Sequence, residues 1–109
     1  MSMNFKIRHG AVRIPVMFVT HDEINEMGRD VLEDGEFLFG MYRALQKKIY
    51  LNSSNEQWFE TFIHELFEHI QSAYSLQMTH EQLSVMARVL ADIMKQNAKQ
   101  FIKLLEEDN

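Results

Sequence analysis

The sequence predicts an α+β fold, a small antiparallel or mixed sheet packed on a helix hairpin, and three observations carry that prediction. The first half holds short runs rich in β-branched and aromatic residues, the second half holds two apolar stripes at helical spacing, and capping signals precede both stripes. At 109 residues, 46% apolar and 25% charged, the chain has the proportions of one soluble globular domain with a single core. Within that domain, residues 1–109, the expected division is a strand, helix and hairpin region over 1–52 and a helical region over 53–109.

The first element is a strand from Ala11 to Thr20, AVRIPVMFVT, with partial alternation and a Pro15 that suggests an edge or irregular strand. Thr20 and Asp22 then offer caps for a short helix whose apolar positions Ile24, Met27 and Val31 keep helical spacing, with a stop near Asp34-Gly35. From Glu36 to Leu51, the runs EFLFGMY and KKIYL flank polar residues around Gln46 to Lys48 and read as a hairpin or two adjacent strands, Arg43 to Gln46 being open to a helical reading.

Asn52 to Asn55 breaks the pattern, and Ser53 with Glu56, or Ser54 with Gln57, has capping-box spacing for a helix that follows. That helix carries Phe59, Phe62, Ile63, Leu66, Phe67, Ile70, Ala73 and Tyr74 at core-facing spacing and is expected to end near Tyr74. After Ser75 to Met78, Thr79 and Gln82 form another capping box, and Leu83, Met86, Leu90, Ile93 and Met94 continue a second stripe. The two helices should pack as a hairpin, with a last helical segment, Lys99 to Glu106, extending the second or following a bend near Asn97. Trp58, Phe59 and the eight methionines read as core packing.

Composition narrows the chemistry. There is no cysteine, so any transition metal must be held by His, Asp or Glu. A net charge of −5 argues against a surface built to neutralise phosphates, so no nucleic-acid partner is expected. Lys95, Lys99 and Lys103 share one helical face and read as a solvated face. The opening MSMNFKIRHG lacks the apolar run of a signal peptide, and no stretch is apolar for long enough to span a bilayer, so no membrane partner and a cytoplasmic location are expected.

The residues that carry chemistry lie in the helix pair. His64 and Glu68 are four apart, so both emerge from one helical face as a two-point chelate requires, and Glu65, rotated by roughly 100°, can stand beside an ion without binding it. The zinc-peptidase helix is written H-E-x-x-H, with Glu acting on water. In His64-Glu65-Leu66-Phe67-Glu68-His69 the second ligand position holds Glu68, and His69 comes one residue too late, so the motif is H-E-x-x-E. A carboxylate is still an acceptable zinc ligand, and His80, at the head of the next helix, is the best third one. Three protein ligands leave a position for water, which zinc acidifies toward a pKa of ~7 and Glu65 could deprotonate. A second reading makes His64, Glu65 and Glu68 the solvated back of an amphipathic helix. A third turns the Glu65 and His69 face to the metal; His9 falls near a turn and His21 near a cap.

From Val16 to Asn97 the chain resembles small phage and prophage proteins related to the zincin-like metallopeptidases of the ImmA/IrrE type. The likeness is carried by Thr61-Phe62-Ile63-His64-Glu65-Leu66-Phe67-Glu68, by Tyr74-Ser75-Leu76-Gln77-Met78-Thr79-His80 and by the helix through Leu83, Leu90 and Asn97; Gly40 and Lys48-Ile49-Tyr50-Leu51 fit the same layout. It implies a small sheet whose edge strand lies beside the active helix, a metal, zinc or another divalent transition ion, on His64, Glu68 and His80, and Glu65 as the catalytic carboxylate. The chain departs from the pattern in Glu68 at the usual second-His position and in Gln82 where the larger family often places a Glu ligand. The expected function is a minimal metal-dependent peptidase in the host cytoplasm, its protein or peptide substrate extended along Lys48 to Leu51. The alternative is a non-catalytic phage protein that binds and inhibits or redirects a host protein, its metal site structural or vestigial.

Overall fold

The chain builds a four-stranded sheet with helices packed against it, as the α+β prediction requires, and the computed structural model describes residues 3–33 and 35–108. Strand β1, Phe5–His9, turns through Gly10 at φ +61° into β2, Val12–Val19, and the two pair antiparallel with Ile7 opposite Ile14. β1 was not among the expected elements, although Phe5 and Ile7 alternate with Lys6 and Arg8 in the period of a half-buried strand.

Helix α1, His21–Met27, is closed at its start by a capping box in which the Thr20 hydroxyl accepts from the Glu23 N–H and the Glu23 carboxylate accepts from the Thr20 N–H. It stops at Gly28, earlier than the spacing of Val31 suggests: a single 3₁₀ turn follows over Arg29–Val31, and the Val31 side chain is exposed. Of the expected stop at Asp34-Gly35, Asp34 lies outside the described residues, and Gly35 holds φ +82°.

β3, Gly40–Arg43, and β4, Lys48–Asn52, form the expected hairpin through a turn at 44–47. The sheet order is β1-β2-β4-β3, with β2 and β4 parallel. This corrects two expectations. β2, despite Pro15, is an interior strand, and the proline is tolerated because pairing with β4 begins only at Val16. β4 is interior as well, so the edge beside the helices is β3 and not Lys48 to Leu51.

Helix α2, Trp58–Tyr74, has no side-chain cap at its start, against the expected capping box at Ser53 or Ser54. The side-chain oxygens of Asn52 and Asn55 organise the approach instead, accepting from the Ser54 and Gln57 N–H groups. At the far end Ser75 takes a left-handed conformation, φ +54°, and the Leu76 N–H closes on the Gln71 carbonyl. Helix α3, His80–Gln96, starts at the predicted Thr79–Gln82 box, and after a break at Asn97 comes α4, Ala98–Asp108.

Ile14, Val16, Ile49 and Leu51 point to one face of the sheet and are fully buried against Phe62 and Ile63 of α2 and Ala87 and Ala91 of α3. The packing stripe of α3 is therefore Leu83, Ala87 and Ala91, four apart, with Leu90 and Met94 beside it, whereas Met86 and Ile93 of the expected stripe are exposed. Trp58 and Phe59 pack on the core as expected; among the methionines Met94 does too, but Met3 is exposed. No helix among the described residues is long and apolar enough to cross a membrane.

Candidate metal centre

α2 packs on β3 and β4 with one side and on α3 with another, so its faces meet different surroundings. His64 and Glu68, one turn apart, lie toward the head of α3, where the Thr79 cap fixes His80 in the first turn. The His64 and His80 rings stand 4.9 Å apart, centre to centre, and His64 Nε2 lies 3.7 Å from the Glu68 carboxylate. One donor atom from each of His64, Glu68 and His80 falls within 4.8 Å of the other two, and this is the one such group of three among the described residues. The predicted ligand trio thus converges, and of the residues that a solvated helix back would expose, Glu65 is buried and His64 and Glu68 are half-buried.

The donor set suits a divalent transition ion. Two imidazoles and a carboxylate are zinc-type ligands, bound at about 2.0–2.2 Å, so donors held this close need only small side-chain adjustments to share an ion. The state of His64 also suits ligation. Burial first, then His80 nearby, lower its pKa, outweighing the carboxylates of Glu68 and Glu60, so its ring is biased to the neutral form that binds metal. The Ser84 hydroxyl lies 3.5 Å from His64 Nδ1, at the long limit of a hydrogen bond, and leaves Nε2 turned toward Glu68. Ser84 escaped the sequence reading, yet it stands four residues after His80 and shares its helical face.

Glu65 is 8% exposed, and its carboxyl makes no hydrogen bond to any described residue. Burial, and then the neighbouring Glu68 carboxylate, push its carboxyl up to about 8, so without an ion it is protonated at neutral pH. It lies where α2 packs on the edge strand: a Cβ on Gly40 would sit 2.5 Å from Thr61 Cγ2 and 3.4 Å from a Glu65 carboxylate oxygen. Only glycine permits that approach. Together Phe37, Phe39, Gly40, His64, Glu65 and His80 line an open cleft of about 310 Å³ between the edge strand and the helix pair. Phe37 and Phe39, half exposed and edge to face at 5.0 Å, form its outer rim.

The alternative in which Glu65 and His69 face the metal is not realised. His69 is 1% exposed, and both its nitrogens are engaged, Nδ1 with the Tyr42 hydroxyl at 2.9 Å and Nε2 with His9 Nδ1 at 2.9 Å; His9 continues to the Tyr74 hydroxyl at 2.7 Å. One hydrogen in each of these three bonds satisfies the chain with both imidazoles neutral, in keeping with the lowering of the His69 pKa by burial and then by His9. These groups tie β1, β3 and α2 together, a structural role spacing could not reveal because the partners lie up to 65 residues apart. His21, the remaining histidine, meets the buried Asn52 side chain at 2.9 Å.

Fold and site together define an α+β protein with a His-Glu-His group that could hold a metal ion at an open cleft. Comparison of the chain with protein-family models, with curated proteins and with solved structures finds no match.

Proposed function

We propose that this chain is a minimal metal-dependent peptidase, zincin-like and of phage or prophage character, with His64, Glu68 and His80 as ligands to zinc or a similar divalent ion. The observation that carries this reading is the convergence of those three side chains beside a cleft that His64, Glu65 and His80 line and that the edge strand β3 borders. An ion held there supplies Lewis acidity toward a carbonyl oxygen and toward water. Two imidazoles and one carboxylate are a ligand composition that catalytic zinc sites use, with a further position left for water.

The chain's own residues supply the rest. β3 pairs with β4 on one side only among the described residues, so an extended peptide can add to its outer edge by backbone hydrogen bonds with little demand on sequence. Glu65 is placed to take the proton of the attacking water as oxygen adds to the peptide carbonyl, and to return it to the amide nitrogen as the C–N bond breaks. A cation bound beside Glu65 would lower its raised carboxyl toward neutral pH and favour the carboxylate form that accepts the proton.

The test is cleavage of unfolded casein by the zinc-loaded chain, compared with Glu65→Gln. The expected result is that the variant keeps one zinc per chain and loses cleavage by at least about a hundredfold. Equal, zinc-independent cleavage by both proteins would overturn the reading. No cleavage by either, with an intact host protein captured in stoichiometric amount, would favour a non-catalytic binder.

A further inference from the structure

Phe37 and Phe39 leave about half of their surface in solvent, 48 and 50%, although the chain that carries them is fixed. Leu38 between them is tied by its backbone. Its N–H donates to Asn25 Oδ1 at 2.8 Å, and its carbonyl accepts from the side chain of Asn52, itself 1% exposed, at 3.0 Å. The Asn52 N–H donates in turn to the Phe39 carbonyl at 2.8 Å, and the His21 ring stands 5.4 Å from that of Phe37. A buried polar anchor thus holds two aromatic rings out at the rim of the cleft that His64, Glu65 and His80 line. Rigid exposed aromatics give binding area at little cost in conformational entropy.

The backbone beside the rings offers pairing at the same place. Because the Asn52 N–H bonds to the Phe39 carbonyl, the hydrogen-bonded rungs between β3 and β4 fall at Phe39, Met41 and Arg43, so Gly40 and Tyr42 turn their N–H and C=O groups to the outer edge. Alternate side chains of a strand added there face the helices, as a side chain on Gly40 would. We propose, resting on the reading of this cleft as a peptidase site, that Phe37 and Phe39 select the substrate: an extended peptide that pairs with Gly40 and sets an aromatic or large aliphatic side chain against the two rings. A cleft of about 310 Å³ is at the small end of ligand sites and suits one large side chain with its backbone. No described lysine or arginine lines it, and Glu60, in the first turn of α2 where the helix dipole favours an acid, acts with Glu68 against acidic residues of a peptide.

Fluorescence anisotropy of labelled, threonine-rich peptides, identical except for one central residue, tests this with the full Glu65→Gln chain in zinc-containing buffer, which should not cut them. Peptides with Phe or Leu at that place are expected to bind at least about tenfold more tightly than those with Ala, Glu or Lys. Phe37→Ala with Phe39→Ala, added to the same chain, should abolish the preference and leave zinc and helix content unchanged, whereas Phe37→Leu with Phe39→Leu should keep it. Equal binding of all the peptides, no binding of any, tightest binding of the Lys peptide, or a preference that survives the double alanine change would each overturn the proposal. A preference for Phe with no casein cleavage by the wild type would support it and count against the peptidase. Casein cut with no excess of large apolar residues beside the cut bonds would overturn it and leave the peptidase standing.

Discussion

Glu65 decides what the site can do, because its surroundings set its charge. Its carboxyl has an ordinary pKa of 4.5 when exposed and one of about 8 in the fold. The folded state therefore binds this proton more tightly than the unfolded chain. The associated stability is fully present below pH ~4.5 and is lost as pH rises through about 8. His64 and His69 act in the opposite sense: their lowered pKa values give stability that is present above pH ~6.5 and lost as pH falls. Comparing the metal-free wild type with Glu65→Gln isolates the first effect. From pH 5 to pH 9 the variant should gain on the wild type by a few kcal/mol in urea unfolding, since each pKa unit is worth about 1.4 kcal/mol. Parallel stability curves would show that Glu65 is not buried as described. The position of Glu65 beside the candidate ligands was legible from its place between His64 and Glu68; its near-complete burial was not, because the edge strand that covers it lies some 25 positions earlier in the chain.

At the scale of elements, two positions show backbone requirements acting on the site. Gly40 lets β3 approach α2, and Gly40→Ala should cost about 1–3 kcal/mol in thermal or urea unfolding, because its methyl group meets Thr61 and crowds Glu65. Ser75 ends α2 in a left-handed conformation that glycine adopts without penalty, so Ser75→Gly should stabilise the chain by about 0.5–1 kcal/mol. Local signals served the elements unevenly. The Thr20 cap and the Thr79 box were readable because such caps are closed within four residues. The start of α2 was misread because Asn52 and Asn55, not the serines, organise that turn. The α3 stripe was misplaced because its true contacts at Ala87 and Ala91 are small and score weakly as apolar, whereas the larger Met86 and Ile93 face outward.

For the whole molecule, the α+β class and the ligand trio followed from spacing, since His64 and Glu68 lie on one helix and a short connection with a capping box fixes His80 against them. Strand order did not follow. β2 and β4 are parallel neighbours with α1 and β3 between them in the chain, and nothing local in Lys48 to Leu51 tells an interior strand from an edge one. That order moves the proposed peptide track from β4 to β3, next to Gly40 and the cleft. The candidate metal centre would link the middle of α2 to the first turn of α3, so an ion bound there should stabilise the fold. Zinc at a hundred times its dissociation constant should add about 2.7 kcal/mol to unfolding, seen as a rise in Tm that a chelator reverses.

The central claim is that His64, Glu68 and His80 together hold one ion, and calorimetric titration of the metal-free chain with zinc tests it most directly. One equivalent should bind to the wild type. His64→Ala, Glu68→Ala and His80→Ala should each weaken binding by at least about tenfold, while His69→Ala should leave the ligand set intact. Wild-type affinity retained in both Glu68→Ala and His80→Ala, or no binding to the wild type, would contradict the site.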